Sequence, residues 1–256
     1  MTAIIYQYWK GNFPDKGYAH FSRQLFTEYA RRNQIEYRFD ENPTFFRGKY
    51  SEWFTRLRPL YDKWFHQFEY VLYADMDIFP TQSASAGLFD TPIGHFAMAE
   101  EKDSLLWRTP TSKIGGITNA RDRRWVNLCR LAYGVEVPTY PNGLPRVFNA
   151  GLVLYSNEGM KVCPELFPNR HLYSFINRVA GLPSFYRRDQ NYLGLASSIE
   201  GIHFSELSNC WNQQVRSTDS GYAYTETDEA AQFIHLQTRD RSSLTDAEIM
   251  AVITGE

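Results

Sequence analysis

Apolar and polar positions along the chain switch between a period of two and a period near 3.6, and the switches lay out an α/β fold. Ala3 to Trp9 is extended in pattern. Tyr18 to Asn33 then sets Phe21, Leu25, Phe26, Tyr29 and Ala30 on one helical face, and Ile35 to Phe39 is a second short strand. Strand, helix and strand in that order predict a parallel sheet. Ser51 to Phe68 is helical but interrupted near Pro59, and it feeds Tyr70 to Ala74, an apolar run rich in aromatic and branched side chains. Such a run predicts a strand buried on both faces of the sheet.

That strand ends in Asp75 and Asp77, with Pro80 stopping the extension. Two acids at the carboxyl edge of a buried strand stand where open α/β sheets bind ligands. Their mutual repulsion calls for a counter-charge, and Mg²⁺ or Mn²⁺ bridging substrate phosphates supplies one; a turn with a helix cap is the plainer alternative. Arg56, Arg58 and Lys63 precede the strand. They form either a solvated helix face or a cation turned inward to phosphate.

Further along, His95 to Ala99 reads as a strand with an acidic end at Glu100, Glu101 and Asp103. Residues 104–146 carry little pattern, with Gly115-Gly116, a basic cluster at Arg121, Arg123 and Arg124, and a run rich in Pro and Gly. They are expected to form an inserted, loop-rich lobe that closes over substrate, the basic cluster lying on its surface. Val147 to Tyr155 is a second strongly apolar segment and opens on Asn149-Ala150-Gly151, small residues that permit close backbone approach. His171 to Val179 is helical and leads to Asp189-Gln190 at the head of another helix, where Asp189 also fits the role of a cap. Ile202 to Phe204 and Phe233 to Leu236 predict late strands, and the segment from Ser243 a capped amphipathic helix.

At 256 residues with 43% hydrophobic content the chain is expected to fold as one domain over residues 1–256. A formal charge of −2 gives no global basic field for nucleic acid or anionic membrane, so an anionic ligand has to be held locally. Cys129, Cys163 and Cys210 form no Cys-X-X-Cys pair and suit a reducing, cytoplasmic setting. No signal peptide and no membrane-length apolar window is seen. The dinucleotide fingerprint of a Rossmann dehydrogenase is also missing after the first strand.

Four stretches in a fixed order remain: the Asp75-Met76-Asp77 strand end, Phe148 to Gly151, Asp189-Gln190, and Ile234-His235 late in the chain. In that order they resemble the GT-A glycosyltransferases, and among them the retaining group that includes glycogenin and bacterial lipooligosaccharide galactosyltransferases. The resemblance implies a mostly parallel central sheet flanked by helices, with a donor-binding half at about 1–103, the acceptor lobe at about 104–146, and a completing half at about 147–256. It implies Asp75, Asp77 and His235 as ligands of Mn²⁺ or Mg²⁺. Tyr6, Arg56, Arg58, Asp75, Asn149, Ala150, Gly151 and Arg239 would hold the nucleotide-sugar donor, UDP-hexose by default. Asp189 and Gln190 would act at the anomeric carbon, and the acceptor would be a carbohydrate or another hydroxyl compound. Arg239 and Arg241 stand where the family usually has a Lys with Gly and Pro-Trp, a departure from the pattern. An inverting enzyme with Asp189 as base, a GDP-sugar donor, a haloacid-dehalogenase-type phosphatase and a non-catalytic sugar-binding domain are the alternatives.

Overall fold

The computed structural model describes residues 2–48, 50–104, 108–109, 116–218, 221–238 and 241–255. Its larger sheet holds six strands: β1 (Ala3–Trp9), β2 (Glu36–Glu41), β3 (Tyr70–Ala74), β5 (Phe96–Ala99), β6 (Leu152–Ser156) and β7 (Phe204–Leu207), in the order β2-β1-β3-β6-β5-β7. The pairs β1–β2, β1–β3 and β5–β7 are parallel, whereas β6 runs antiparallel to β3 and β5. A smaller sheet holds β4 (Ile78–Pro80), β8 (Gln213–Thr218), β9 (Gly221–Tyr224) and β10 (Phe233–Leu236), in the order β4-β10-β8-β9.

The alternation of side chains across the pleat explains the continuous apolar run of β3. Val71 and Tyr73 face one layer, with Ile4, Tyr6, Val153 and Tyr155, under helices Asn119–Tyr133, Asn157–Leu166, Arg170–Val179 and Asp189–Ala196. Leu72 and Ala74 face the other, against Phe26, Tyr29 and Ala30 of helix Tyr18–Asn33. A third cluster joins Phe79, Val215, Ile234 and Leu236 of the smaller sheet to Ile249 and Val252 of helix Asp246–Thr254. That last helix is closed by a capping box between Thr245 and Glu248, as expected for the segment after Ser243.

Several elements differ from the pattern reading: the strand expected at Ile202 to Phe204 runs Phe204–Leu207, and Asn157–Leu166, Gln213–Thr218 and Gly221–Tyr224 were not expected. The stretch 51–68 is a chain of short turns rather than one helix: Ser51–Phe54, then the tighter Thr55–Leu57, Arg58–Tyr61 and Lys63–Gln67. Pro59 sits at the start of the third, where its missing N–H costs nothing. The stretch 104–146 contains a full helix, Asn119–Tyr133, capped by Thr118 and closed by Gly134 in the left-handed region. Its buried face is Asp122, Trp125 and Cys129, and the acid, held by Arg108 at 2.5 Å, masked the apolar period. The second strand begins one residue later than the pattern implied and continues to Glu41. Among the described residues no helix is long and apolar enough to cross a membrane.

Candidate active site

The site forms where β3 leaves the larger sheet. Asp75 donates its backbone N–H to Gly151 O at 2.7 Å, because antiparallel β6 begins at the edge where β3 ends. Three residues on, β4 has joined the smaller sheet, and there Ile78 pairs with His235 of β10. Leu236 donates its N–H to Asp77 O at 2.8 Å. The turn Asp75-Met76-Asp77 thus carries its two carboxylates between the sheets, and β10 brings His235 to them.

Arg56 is the organising cation. It is buried to 5% exposure, and its guanidinium lies 2.8 Å from Asp189 Oδ2 and 3.2 Å from Asp75 Oδ1 while also donating to Ala150 O. The break in the helical run at Thr55–Leu57 turns this side chain inward. Burial opposes the cation, but Asp189 and Asp75 outweigh it and hold Arg56 charged. Burial raises the Asp75 carboxyl to about 6 against the pull of Arg56, and Tyr73 donates its hydroxyl to the same group. Asp189 is also raised by burial, with Arg56 and the backbone amides of its own helix start acting the other way.

A hydrogen-bond chain fixes the orientation of His235. Gly151 N–H donates to Asn149 Oδ1 at 2.9 Å, which orients that amide, and Asn212 Nδ2 donates to the same oxygen at 3.2 Å. Asn212 Oδ1 is therefore the acceptor, 3.0 Å from His235 Nδ1, which carries the proton. Its Nε2 faces Asp77 Oδ1 at 3.4 Å, and that buried oxygen accepts no hydrogen bond. Burial pushes the Asp77 carboxyl up, but His235 and the Arg241 guanidinium at 3.5 Å prevail and hold it below the usual carboxylate range. A side chain on Gly151 would fill the same spot, since a Cβ there would stand 2.7 Å from His235 Cε1, 2.8 Å from Asn149 Oδ1 and 3.1 Å from Asp75 Oδ2.

A partnerless carboxylate oxygen facing an imidazole nitrogen suits a divalent cation. Asp75 is meanwhile drawn to Arg56 and Tyr73, and among the described residues no three His, Cys, Asp or Glu groups stand close enough together to hold a metal ion. Two adjoining hollows of about 260 and 250 Å³ meet at this point and share Trp53, Arg56, Asp75, Asp77 and Arg241. The first is lined further by Tyr8, Lys10 and Tyr18, the second by Asn149, Asp189, Gln190 and His235.

No protein-family model matches the chain, and no curated protein sequence matches it. Solved structures do. LgtC, a galactosyltransferase determined with donor and acceptor sugar analogues, aligns over 98% of this chain and 95% of its own, at 14% identity and a TM-score of 0.53. An active-site Gln-to-Glu variant of LgtC aligns over the same shares, at 14% identity and a TM-score of 0.54. Unliganded mouse xyloside xylosyltransferase 1 aligns over 93% of this chain and 98% of its own, at 13% identity and a TM-score of 0.53. The chain has the GT-A glycosyltransferase fold.

Within this GT-A fold, Arg56, Asp75, Asp77, Asn149, Gly151, Asp189, Gln190 and His235 all line the second hollow. Ala150 is wholly buried and contributes its carbonyl to Arg56. Tyr6 and Arg58 are not brought to the cleft. Tyr6 is fully enclosed in the core, two residues before Tyr8, which reaches the first hollow from the same face of β1. Arg58 lies one helical turn past the break and pairs instead with Asp40 and Asp62. Arg239 lies outside the described residues, and Arg241 is the late cation found at Asp77. Gln190 donates to Glu101 at 2.8 Å, and Glu101 in turn pairs with Arg216 of β8 at 2.9 Å.

The sequence reading had passed over Asn212, Tyr73 and Trp53. Asn212 sits outside any strand or helix, where no periodicity marks it. It is a positioning residue for His235. Asn212→Leu is expected to weaken Mn²⁺ binding by about 10- to 100-fold, whereas Asn212→Asp, which keeps an acceptor for Nδ1–H, retains most of it. Titration calorimetry with Mn²⁺ checks both; equal affinities for wild type and the Leu variant would refute the positioning role.

Proposed function

We propose that the chain is a metal-dependent glycosyltransferase that moves a hexose from a nucleotide-diphosphate sugar, UDP by preference, to a hydroxyl acceptor with retention of configuration. The observation that carries this reading is the partnerless Asp77 oxygen opposite Nε2 of His235, at the strand end where a GT-A fold opens. Asp77 and His235, with Asp75, would hold Mn²⁺ or Mg²⁺. Bound there, the ion supplies Lewis-acid neutralisation of the departing diphosphate.

The chain's own groups supply the rest. Tyr8, Tyr18 and Lys10 line a hollow suited to a base and its phosphates, and Arg241 stands beside Asp77 as a further cation for the diphosphate. Asp189 and Gln190 border the second hollow and are placed to accept and donate hydrogen bonds to sugar hydroxyls. Asp189, ionised beside Arg56, also offers negative charge to an oxocarbenium-like centre. Its pairing with Arg56 supports this role over that of a free general base, and hence retention over inversion. We assign recognition of the acceptor to residues 104–146 and the C-terminal tail.

Donor hydrolysis across a panel of UDP- and GDP-sugars, with Mn²⁺ and with chelator, tests the reading. One donor is expected to turn over only with metal, and the anomeric configuration of the released sugar, read by proton NMR before mutarotation, is expected to match the donor's. Turnover that ignores chelator removes the metal assignment, and binding of no nucleotide sugar at all removes the transferase reading.

A further inference from the structure

The basic cluster of residues 121–124 lines neither hollow, and the structure gives it a setting. Arg121, Arg123, Arg124 and Arg130 are exposed on helix Asn119–Tyr133, and Arg178 is exposed on helix Arg170–Val179. None of the five pairs with a carboxylate among the described residues. The one acid on either helix is Asp122, which is buried and committed to Arg108 at 2.5 Å.

Helix Arg170–Val179 also leaves apolar side chains in solvent. It buries Tyr173 and Asn177, so its outward face presents Phe175 at 52% exposure, flanked by Leu172 at 52% and Val179 at 70%. Leu131, on the outward side of the other helix, is 79% exposed. The two helices meet: Trp125 Nε1 donates to the Tyr173 hydroxyl at 3.1 Å, and Arg124 Nη1 lies 3.6 Å from where a Cβ on Gly181 would stand, just past Val179. Arg124 therefore borders the bare apolar side chains, and Leu131, seven residues on, lies on the same flank as Arg124.

We propose that this surface docks on a bilayer carrying anionic phospholipid. Five exposed arginines that meet no carboxylate among the described residues, on two helices with no exposed acid, complement a negative lipid surface, although Arg121 and Arg123 also donate to Gly116 O and Asn142 O and the chain as a whole has a formal charge of −2. Leu172, Phe175 and Val179 enter the headgroup boundary, and Arg124 and Arg178 meet phosphates beside them. The docked helix is tied to the site: Tyr173 donates to Tyr186 O at 2.8 Å and Ser174 to Arg187 O at 3.0 Å, in the turn that precedes Asp189.

Co-sedimentation of the full chain with vesicles tests the assignment without donor or metal. Binding is expected to phosphatidylcholine vesicles containing about 30% phosphatidylglycerol, not to phosphatidylcholine alone, and is expected to vanish near 1 M salt, where the screening length falls to about 3 Å. Arg123→Glu with Arg124→Glu, and separately Phe175→Ser with Val179→Ser, are each expected to weaken partitioning at least tenfold while leaving the melting temperature and circular dichroism unchanged. Equal binding to neutral and anionic vesicles, or binding to neither, overturns the proposal. So does a dimer in sedimentation velocity that the Ser pair dissolves, because the covered face would then belong to a second copy, and so does equal affinity for duplex DNA.

Discussion

Arg56→Met is expected to destabilise the fold by about 3–5 kcal/mol, the usual cost of leaving buried charges without their partner, and so to lower the melting temperature by about 10 °C for a chain of this size. The residue is 5% exposed and bridges two acids from distant parts of the chain, so its removal strands both Asp75 and Asp189 in the interior. The pH dependence follows from the directions already in place. Burial holds the folded Asp75 carboxyl at about 6 against an ordinary 3.8, so its contribution is greatest below the ordinary value and is lost as pH rises through the folded one. Without Arg56 both carboxyls move higher still, and the penalty is complete at pH 8 but relieved as they take up protons toward pH 5. Melting curves of wild type and variant across that range are expected to converge at the acid end. A gap that stays constant with pH would show that the guanidinium acts through packing alone.

Asp77→Ala is expected to cut Mn²⁺ affinity by more than about 100-fold, beyond the range of an outer-sphere change, and to abolish metal-dependent nucleotide-sugar binding. Stability at neutral pH is expected to fall modestly, since His235 and Arg241 hold the Asp77 carboxyl below the usual carboxylate range and lose that partner. In the wild type, Mn²⁺ affinity is expected to fall as pH drops through about 6, because Asp75 must give up its proton to serve as a ligand. Calorimetry with Mn²⁺ and with UDP-sugar at pH 5, 6 and 7.5 checks both statements. Undiminished donor binding by Asp77→Ala would move the diphosphate elsewhere in the cleft.

Much of this architecture is legible in the chain because burial on two faces leaves a plain mark. Tyr70 to Ala74 has no polar residue to lose, and the acids that follow can only stand at the strand's end. His235 was legible for the same reason, within the apolar run of β10. Arg56 was not, since Arg56 and Arg58, two residues apart, take opposite sides of a helical run and its period alone does not say which one faces inward. Tyr6 was misplaced toward the ligand by one step of the pleat pattern, with Tyr8 the residue that emerges. Helix Asn119–Tyr133 was hidden because its inner face spends one position on the acid of an internal ion pair. Its end signals, Thr118 and Gly134, were present in the sequence all along.

The three residues from Asp75 to Asp77 are the joint between two sheets, since β3 ends at Ala74 in one and β4 begins at Ile78 in the other. The spacing of the carboxylates is therefore geared to the angle at which the sheets meet. The smaller sheet is braced on its outer side by Val215 and Ile234 packing on Ile249 and Val252. Repacking Ile249 or Val252, which line neither hollow, is therefore expected to shift metal affinity at the cleft through the seat of β4 and β10.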